Sequence, residues 1–258
     1  MSLVFAGIIP HSPVTLPHIH PTKQADITQT MGALKELEGE LYVMQPDTIM
    51  IISPHAPMAE AAFAINLAPQ FSGHFQEFGD ITSSYQWHCD VELISKIREY
   101  IDAHGGEKVI VLSQPLLDYG ATIPLVHVTG HLPKVKIVPL SICLGSIEQH
   151  FRFGQILRSV VTASNKRIAL LASTDLAQAD NAAAASFDYT VQKSVQQQDY
   201  QAMIALQPAL IQAAEADRAQ KTLAIFFGAL NAVVATSKIL SYQRPYGTGL
   251  LVTQFNLI

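Results

Sequence analysis

The sequence predicts an α/β fold: a single three-layer domain with a mostly parallel or mixed central sheet and helices on both faces. Three observations predict it. Short β-branched runs alternate with longer segments of helical period, the pattern of a sheet covered by helices. The chain has 258 residues, 49% hydrophobic and 14% charged, which is enough to bury one large core and too apolar for disorder. No internal repeat or linker divides it, since the biased stretches Ala182 to Ala185 and Gln196 to Gln198 are too short to separate domains.

The elements follow in order. Leu3 to Ile8 is an apolar run without a cationic stretch ahead of it and is cut short by Pro10, so it reads as a first strand and not as a signal peptide. Ile27, Met31, Leu34, Leu37 and Leu41 then recur at three- and four-residue steps, which predicts an amphipathic helix leading to a second strand, Thr48 to Ile52. The same step in Val91, Ile94, Ile97 and Ile101 predicts another helix ahead of a strand from Val109 to Leu112. Strands are expected at Val135 to Ile142, Ile168 to Ala172 and Gly249 to Phe255. Helices are expected at Ser146 to Ala163, Asp188 to Ala205 and Ala219 to Thr236, the last apolar enough to be mostly buried.

Several function classes are disfavoured. The formal charge is −5 and no Lys/Arg cluster occurs, whereas phosphate backbones require concentrated cations, so no nucleic-acid partner is expected. No run reaches the roughly 20 apolar residues that span a bilayer. Cys89 and Cys143 stand far apart with no CxxC spacing, which fits free thiols in a reducing, cytoplasmic setting. Gly247 and Gly249 belong to no phosphate loop, and Ser12, Ser53 and Ser173 lack the GxSxG elbow of a serine hydrolase.

In a parallel sheet, ligands bind beyond the carboxyl ends of the strands. The residues at those ends are Pro10-His11-Ser12-Pro13, Ser53-Pro54-His55-Ala56-Pro57 and Ser173-Thr174-Asp175, so two histidines and a carboxylate would face one rim. A lone strand-end histidine more often bonds to local backbone than to a ligand. Here the same proline-bracketed context occurs twice, and prolines fix the local backbone as a ligand requires. Neutral imidazoles bind iron, zinc and copper, and two histidines with one carboxylate leave positions on ferrous iron for substrate and dioxygen. Asp175 reads either as a residue orienting a ligand histidine or as a turn residue after its strand. His18 and His20 could point into the same mouth, although side-chain alternation in an extended loop explains them equally well.

Five blocks resemble those of the catalytic subunits of class III extradiol ring-cleavage dioxygenases and their Memo-like relatives. They are Ile8 to Pro13, Pro46 to His55, Leu117 to Leu125, Ala172 to Leu176 and Ser241 to Gly249, in the family's order and spanning almost the whole chain. The resemblance implies one such domain over residues 1–258. It implies that His11 and His55 bind a non-heme Fe(II), with zinc or another divalent metal as substitutes, and that a glutamate from the later helical region completes the site. By position, Glu215 and Asp217 are the available carboxylates, although acidic residues also favour a solvated helix N-terminus. Two departures stand out: Tyr119 and Gln178 occupy positions where the family has histidines credited with binding outside the metal's own ligands and with proton transfer. Glutamine exchanges no proton near neutral pH, whereas Tyr119 can still donate a hydrogen bond. The implied activity is extradiol opening of a catechol- or aminophenol-type ring by dioxygen, with Tyr119, Asp175 and Gln178 lining the pocket. A catalytically silent or Memo-like binding protein and a zinc hydrolase using the same residues are the alternatives. The family's habit of assembly implies a homo-oligomer or association with a partner subunit.

Overall fold

The computed structural model describes residues 2–257, so Met1 and Ile258, the ends of the expected domain, lie outside the described residues. Among the described residues ten strands form one mixed sheet: β1 (Leu3–Ile9), β2 (Thr48–Ser53), β3 (Phe63–Asn66), β4 (Gln70–Phe75), β5 (Asp80–Cys89), β6 (Val109–Leu112), β7 (Lys136–Ser141), β8 (Ile168–Ser173), β9 (Ala235–Gln243) and β10 (Leu250–Leu257). The order is β4-β5-β7-β2-β8-β1-β10-β9, with β3 attached to β7 and β6 attached to β3. The inner strands β7, β2, β8 and β1 all run parallel, whereas β10 and β9 add antiparallel to the β1 side. Every residue of β2 and β8 is buried, as expected of parallel strands covered on both faces.

The helices are α1 (Thr28–Met44), α2 (Val91–His104), α3 (Tyr119–Val128), α4 (Ile147–Thr162), α5 (Ala182–Gln197), α6 (Tyr200–Ile204), α7 (Pro208–Ala213) and α8 (Asp217–Leu230). α1 and α3 pack on one face of the inner strands, and α8, backed by α4, packs on the other. A single large hydrophobic cluster joins the sheet to both helical layers.

The expected strands are all present, within a residue or two of their predicted ends. The predicted helix from Asp188 to Ala205 is instead two. α5 starts at Ala182 under an Asn181 cap and ends at Gln197, followed by Gln198 at a left-handed φ of 54°, after which Asp199 caps the short α6. The helix expected to reach Thr236 stops at Leu230, because β9 begins at Ala235 and pairs with β10. Strands β3, β4, β5 and β9 and helices α3 and α7 were not predicted.

Candidate functional site

Parallel packing of β2, β8 and β1 brings three carboxyl ends side by side, and the register pairs Ile9 with Ser173 and Ile52 with Ala172. The residues just beyond these ends therefore meet. His11 Nε2 and His55 Nε2 lie 3.0 Å apart, with the rings at 88° to each other. Asp175 fixes the loop after β1 by accepting hydrogen bonds from the backbone N–H groups of His11 (3.0 Å) and Ser12 (3.2 Å) through one oxygen. Its other oxygen, Oδ2, is 4.0 Å from His11 Nε2. On the far side of the ring, His11 Nδ1 is 3.1 Å from Ser173 Oγ, whose hydroxyl in turn donates to the Gly120 carbonyl.

The loop after β2 is held by Asp118, which caps α3 through the Ala121 N–H (3.1 Å) and accepts from Ser53 Oγ at 2.5 Å. Ser53 Oγ also accepts from the His55 N–H. Gly120 is required here, because a methyl group would stand 2.6 Å from Ser53 Oγ and 3.0 Å from the His55 ring. Tyr119 packs on His55 with ring centroids 4.2 Å apart, and its hydroxyl is 3.0 Å from both ring nitrogens. Arg218, on the first turn of α8, sets Nη1 3.1 Å from His55 Nδ1.

Burial makes both imidazoles poor bases. The His11 pKa is pushed down to about 4 by burial, the Ser173 bond opposing and Arg218 assisting. His55 falls to about 3 through burial and then through the charges of His11 and Arg218. Both rings thus stay neutral at pH 7. Asp175 moves the other way, up to about 7, because burial outweighs its two backbone hydrogen bonds. Burial also raises Tyr119, which remains a phenol.

His11, His55, Asp175, Gln178, Glu215, Asp217 and Arg218 all line one cavity of about 380 Å³, and Tyr119 lines an adjoining one of about 390 Å³ that shares His55. Larger clefts, of about 840 and 580 Å³, lie at the opposite, amino ends of the inner strands and hold no such histidine pair. Within the site cavity, Gln178 is exposed at the rim. Asp217 is turned away, with its Oδ2 3.0 Å from Lys221 Nζ. Glu215 is exposed in the turn before α8, at a left-handed φ of 52°. His18 faces Asp80 at 3.1 Å and not the cavity.

The donor set fits a divalent ion at two positions. Metal bonds of about 2.1 Å at right angles place their two donors about 3.0 Å apart, the separation of the two Nε2 atoms. Neither the Glu215 nor the Asp217 carboxylate joins them, and among the described residues no group of three or more His, Cys, Asp or Glu side chains is placed to share an ion.

Sequence reasoning missed Arg218 and the partnership of Ser173 with His11. One local signal pointed to Arg218: a cation in the first turn of a helix opposes the macrodipole and needs another reason to be there.

Comparison with known proteins agrees with this architecture. The model of a family described as the catalytic LigB subunit of aromatic ring-opening dioxygenase matches residues 6–253. A curated protein of Clostridium acetobutylicum is 24% identical over 96% of the chain, which spans only 56% of that relative's length. The crystal structure of an uncharacterized protein from Escherichia coli superposes with a TM-score of 0.68 at 14% identity, covering 97% of this chain and 99% of that one, a likeness of fold.

Proposed function

The chain belongs to the LigB family, the catalytic subunits of aromatic ring-opening dioxygenases, and from that premise we propose that it is an extradiol dioxygenase whose His11 and His55 hold a non-heme Fe(II). The observation that carries this reading is the 3.0 Å approach of the Nε2 atoms of two neutral imidazoles at the carboxyl ends of β1 and β2. Family members generally use a non-heme metal, and ferrous iron bound there would supply a template on which an aromatic diol or aminophenol and dioxygen are brought together.

The remaining steps fall to the chain's own groups. Asp175, near pKa 7 and with Oδ2 turned toward the histidine pair, takes the proton from an incoming ring hydroxyl. It fills the role that Gln178, at the exposed rim, cannot perform. Tyr119 stays protonated and donates a hydrogen bond to a substrate oxygen beside His55. Ser173 fixes the rotation of the His11 ring, and Asp118 fixes the backbone on which His55 is mounted.

The test is anaerobic loading with Fe(II) followed by oxygen uptake with catechol, 3,4-dihydroxybenzoate and 2-aminophenol. The expected result is substrate-dependent uptake with formation of a ring-opened product. Failure to bind iron, or unchanged binding in the His11→Gln/His55→Gln double variant, would sink the proposal. A second reading, a catalytically silent metal-binding protein, draws support from the Arg218 cation beside His55, and iron binding without uptake from any substrate would establish it.

A further inference from the structure

We propose that the cleft of about 580 Å³ at the amino ends of the inner strands is a second binding site, and that it takes an aliphatic monocarboxylate, with the chain against the sheet and the carboxylate on Arg158. This is independent of the dioxygenase reading. The floor of the cleft is Met50 of β2 and Leu170 of β8, and its walls are Leu157 and Val161 of α4, Ala229 of α8 and the turn at 231–234. The opening follows from helix length. α8 stops at Leu230 whereas α4 runs on to Thr162, so the last apolar side chains of α4 have the cleft beside them in place of a partner helix. A concave, mostly apolar space of this size with one charged group at its mouth is the usual form of a small-ligand site.

The lining fixes the chemistry of the ligand's body. Every apolar residue in it is Ala, Val, Leu or Met, so an alkyl chain finds close packing there and an aromatic ring finds no face to stack on. The turn at 231–234 keeps Val234 66% exposed at the rim, beside Ala232 at a left-handed φ of 63°, a conformation that disfavours any residue with a side chain. Apolar groups are thus held at the mouth against backbone preference. Arg158 fixes the head. It is half-buried on α4, and its Nη1 donates to the Asn231 carbonyl at the end of α8. A cation favours a helix C-terminus, which accounts for that bond and not for the apolar cleft beside it. Among the described residues no carboxylate lies within 4.0 Å of the guanidinium, and Glu107, with which it shares a neighbouring cleft, is engaged by Arg152. One carbonyl occupies one of five donors, and the rest form a fork that a carboxylate fills bidentately. A single guanidinium balances a single negative charge, which favours a monocarboxylate over a phosphate ester.

Calorimetric titration of the full chain with octanoate and with octan-1-ol tests this, with the methyl resonance of Met50 as the local reporter. Octanoate is expected to bind about tenfold tighter than the alcohol and to shift the Met50 methyl. In Arg158→Met the two ligands become equivalent. Arg158→Lys keeps the charge and is expected to keep a preference for the acid, which separates a lost ion pair from lost packing. Val233→Trp fills the mouth, and both ligands are expected to bind it at least about tenfold more weakly. Arg218→Met distinguishes the cleft from the histidine cavity at the other end of the strands, and octanoate is expected to bind that variant as it binds the unmodified protein. Equal binding of acid and alcohol by the unmodified protein, binding that survives Val233→Trp, loss of octanoate binding in Arg218→Met and not in Arg158→Met, or binding of neither ligand overturns the proposal. A concentration-dependent dimer that Val233→Trp disperses and octanoate does not gives the cleft to a second copy of the chain, and overturns it as well.

Discussion

Gly154 of α4 and Gly228 of α8 meet backbone to backbone: a methyl group on Gly228 would stand 3.1 Å from the Gly154 Cα and 2.9 Å from the Phe151 carbonyl carbon, and one on Gly154 would stand 2.7 Å from the Ala229 nitrogen. The contact lets α8 lie close between α4 and the sheet, and α8 carries Arg218 to His55. Gly154→Ala or Gly228→Ala is expected to cost about 1–3 kcal/mol in denaturant unfolding, since the obstacle is main chain and cannot rotate aside. Gly39→Ala, on the exposed side of α1 with nothing within 4 Å, is expected to stabilise by about 0.5–1 kcal/mol through helix propensity alone.

On α5, Asp188 is buried and accepts from the Ala177 N–H (3.0 Å), from the Tyr242 hydroxyl (2.7 Å) and from Arg244. The Arg244 guanidinium also reaches the carbonyls of Ala179 and Gly247, so it ties the β9–β10 connection to the loop after β8. Arg244→Met leaves a buried carboxylate without its cation, and the expected loss is about 3–5 kcal/mol in chemical unfolding. A loss below about 1 kcal/mol would mean that water or Tyr242 can compensate the charge.

Ser173 provides a test of the metal site that does not alter a ligand. Its removal in Ser173→Ala frees the His11 ring to turn, and metal affinity is expected to fall about 10–100-fold in a calorimetric titration. Thr48→Val is the control. Thr48 donates to Asp90 at 2.5 Å at the opposite end of the strands, so its loss is expected to lower stability and leave metal affinity unchanged.

How much of this could be read from residues alone follows from where the signals are local. The strand-end pattern Pro-His was legible because position after a parallel strand and backbone rigidity are both sequence properties, and the approach of His11 to His55 follows from β1 and β2 flanking β8 on either side. The edge of the sheet was not legible. β5 is exposed or half-buried all along Asp80 to Gln86, and β3 is four residues long with every one buried, so neither shows an alternating hydrophobic period of its own. The end of α8 was hidden for the opposite reason, since Leu230, Val233 and Val234 continue an apolar run past the turn at Ala232 (φ 63°) into β9. The contact of Arg218 with His55 depends on the left-handed turn at Glu215, a tertiary detail that sets where α8 begins.

His127 gives a prediction about pH that is independent of the metal site. It sits on α3 with Nε2 3.0 Å from Thr15 Oγ1, and burial, aided by the charge of His18, pushes its pKa down to about 4. In the unfolded chain the same group titrates near 6.5. Below that pH the unfolded state binds a proton that the folded state refuses, so the contribution of His127 to stability is complete above about 6.5 and is lost as the pH falls toward 4. The slope from this one group is at most about 1.4 kcal/mol per pH unit. In urea unfolding at fixed pH values, His127→Gln is expected to flatten the curve between pH 6.5 and 4 relative to the unmodified protein, with the two curves running parallel above pH 7. Curves that stay parallel through the acid range would mean that His127 is protonated in the folded state, against its burial.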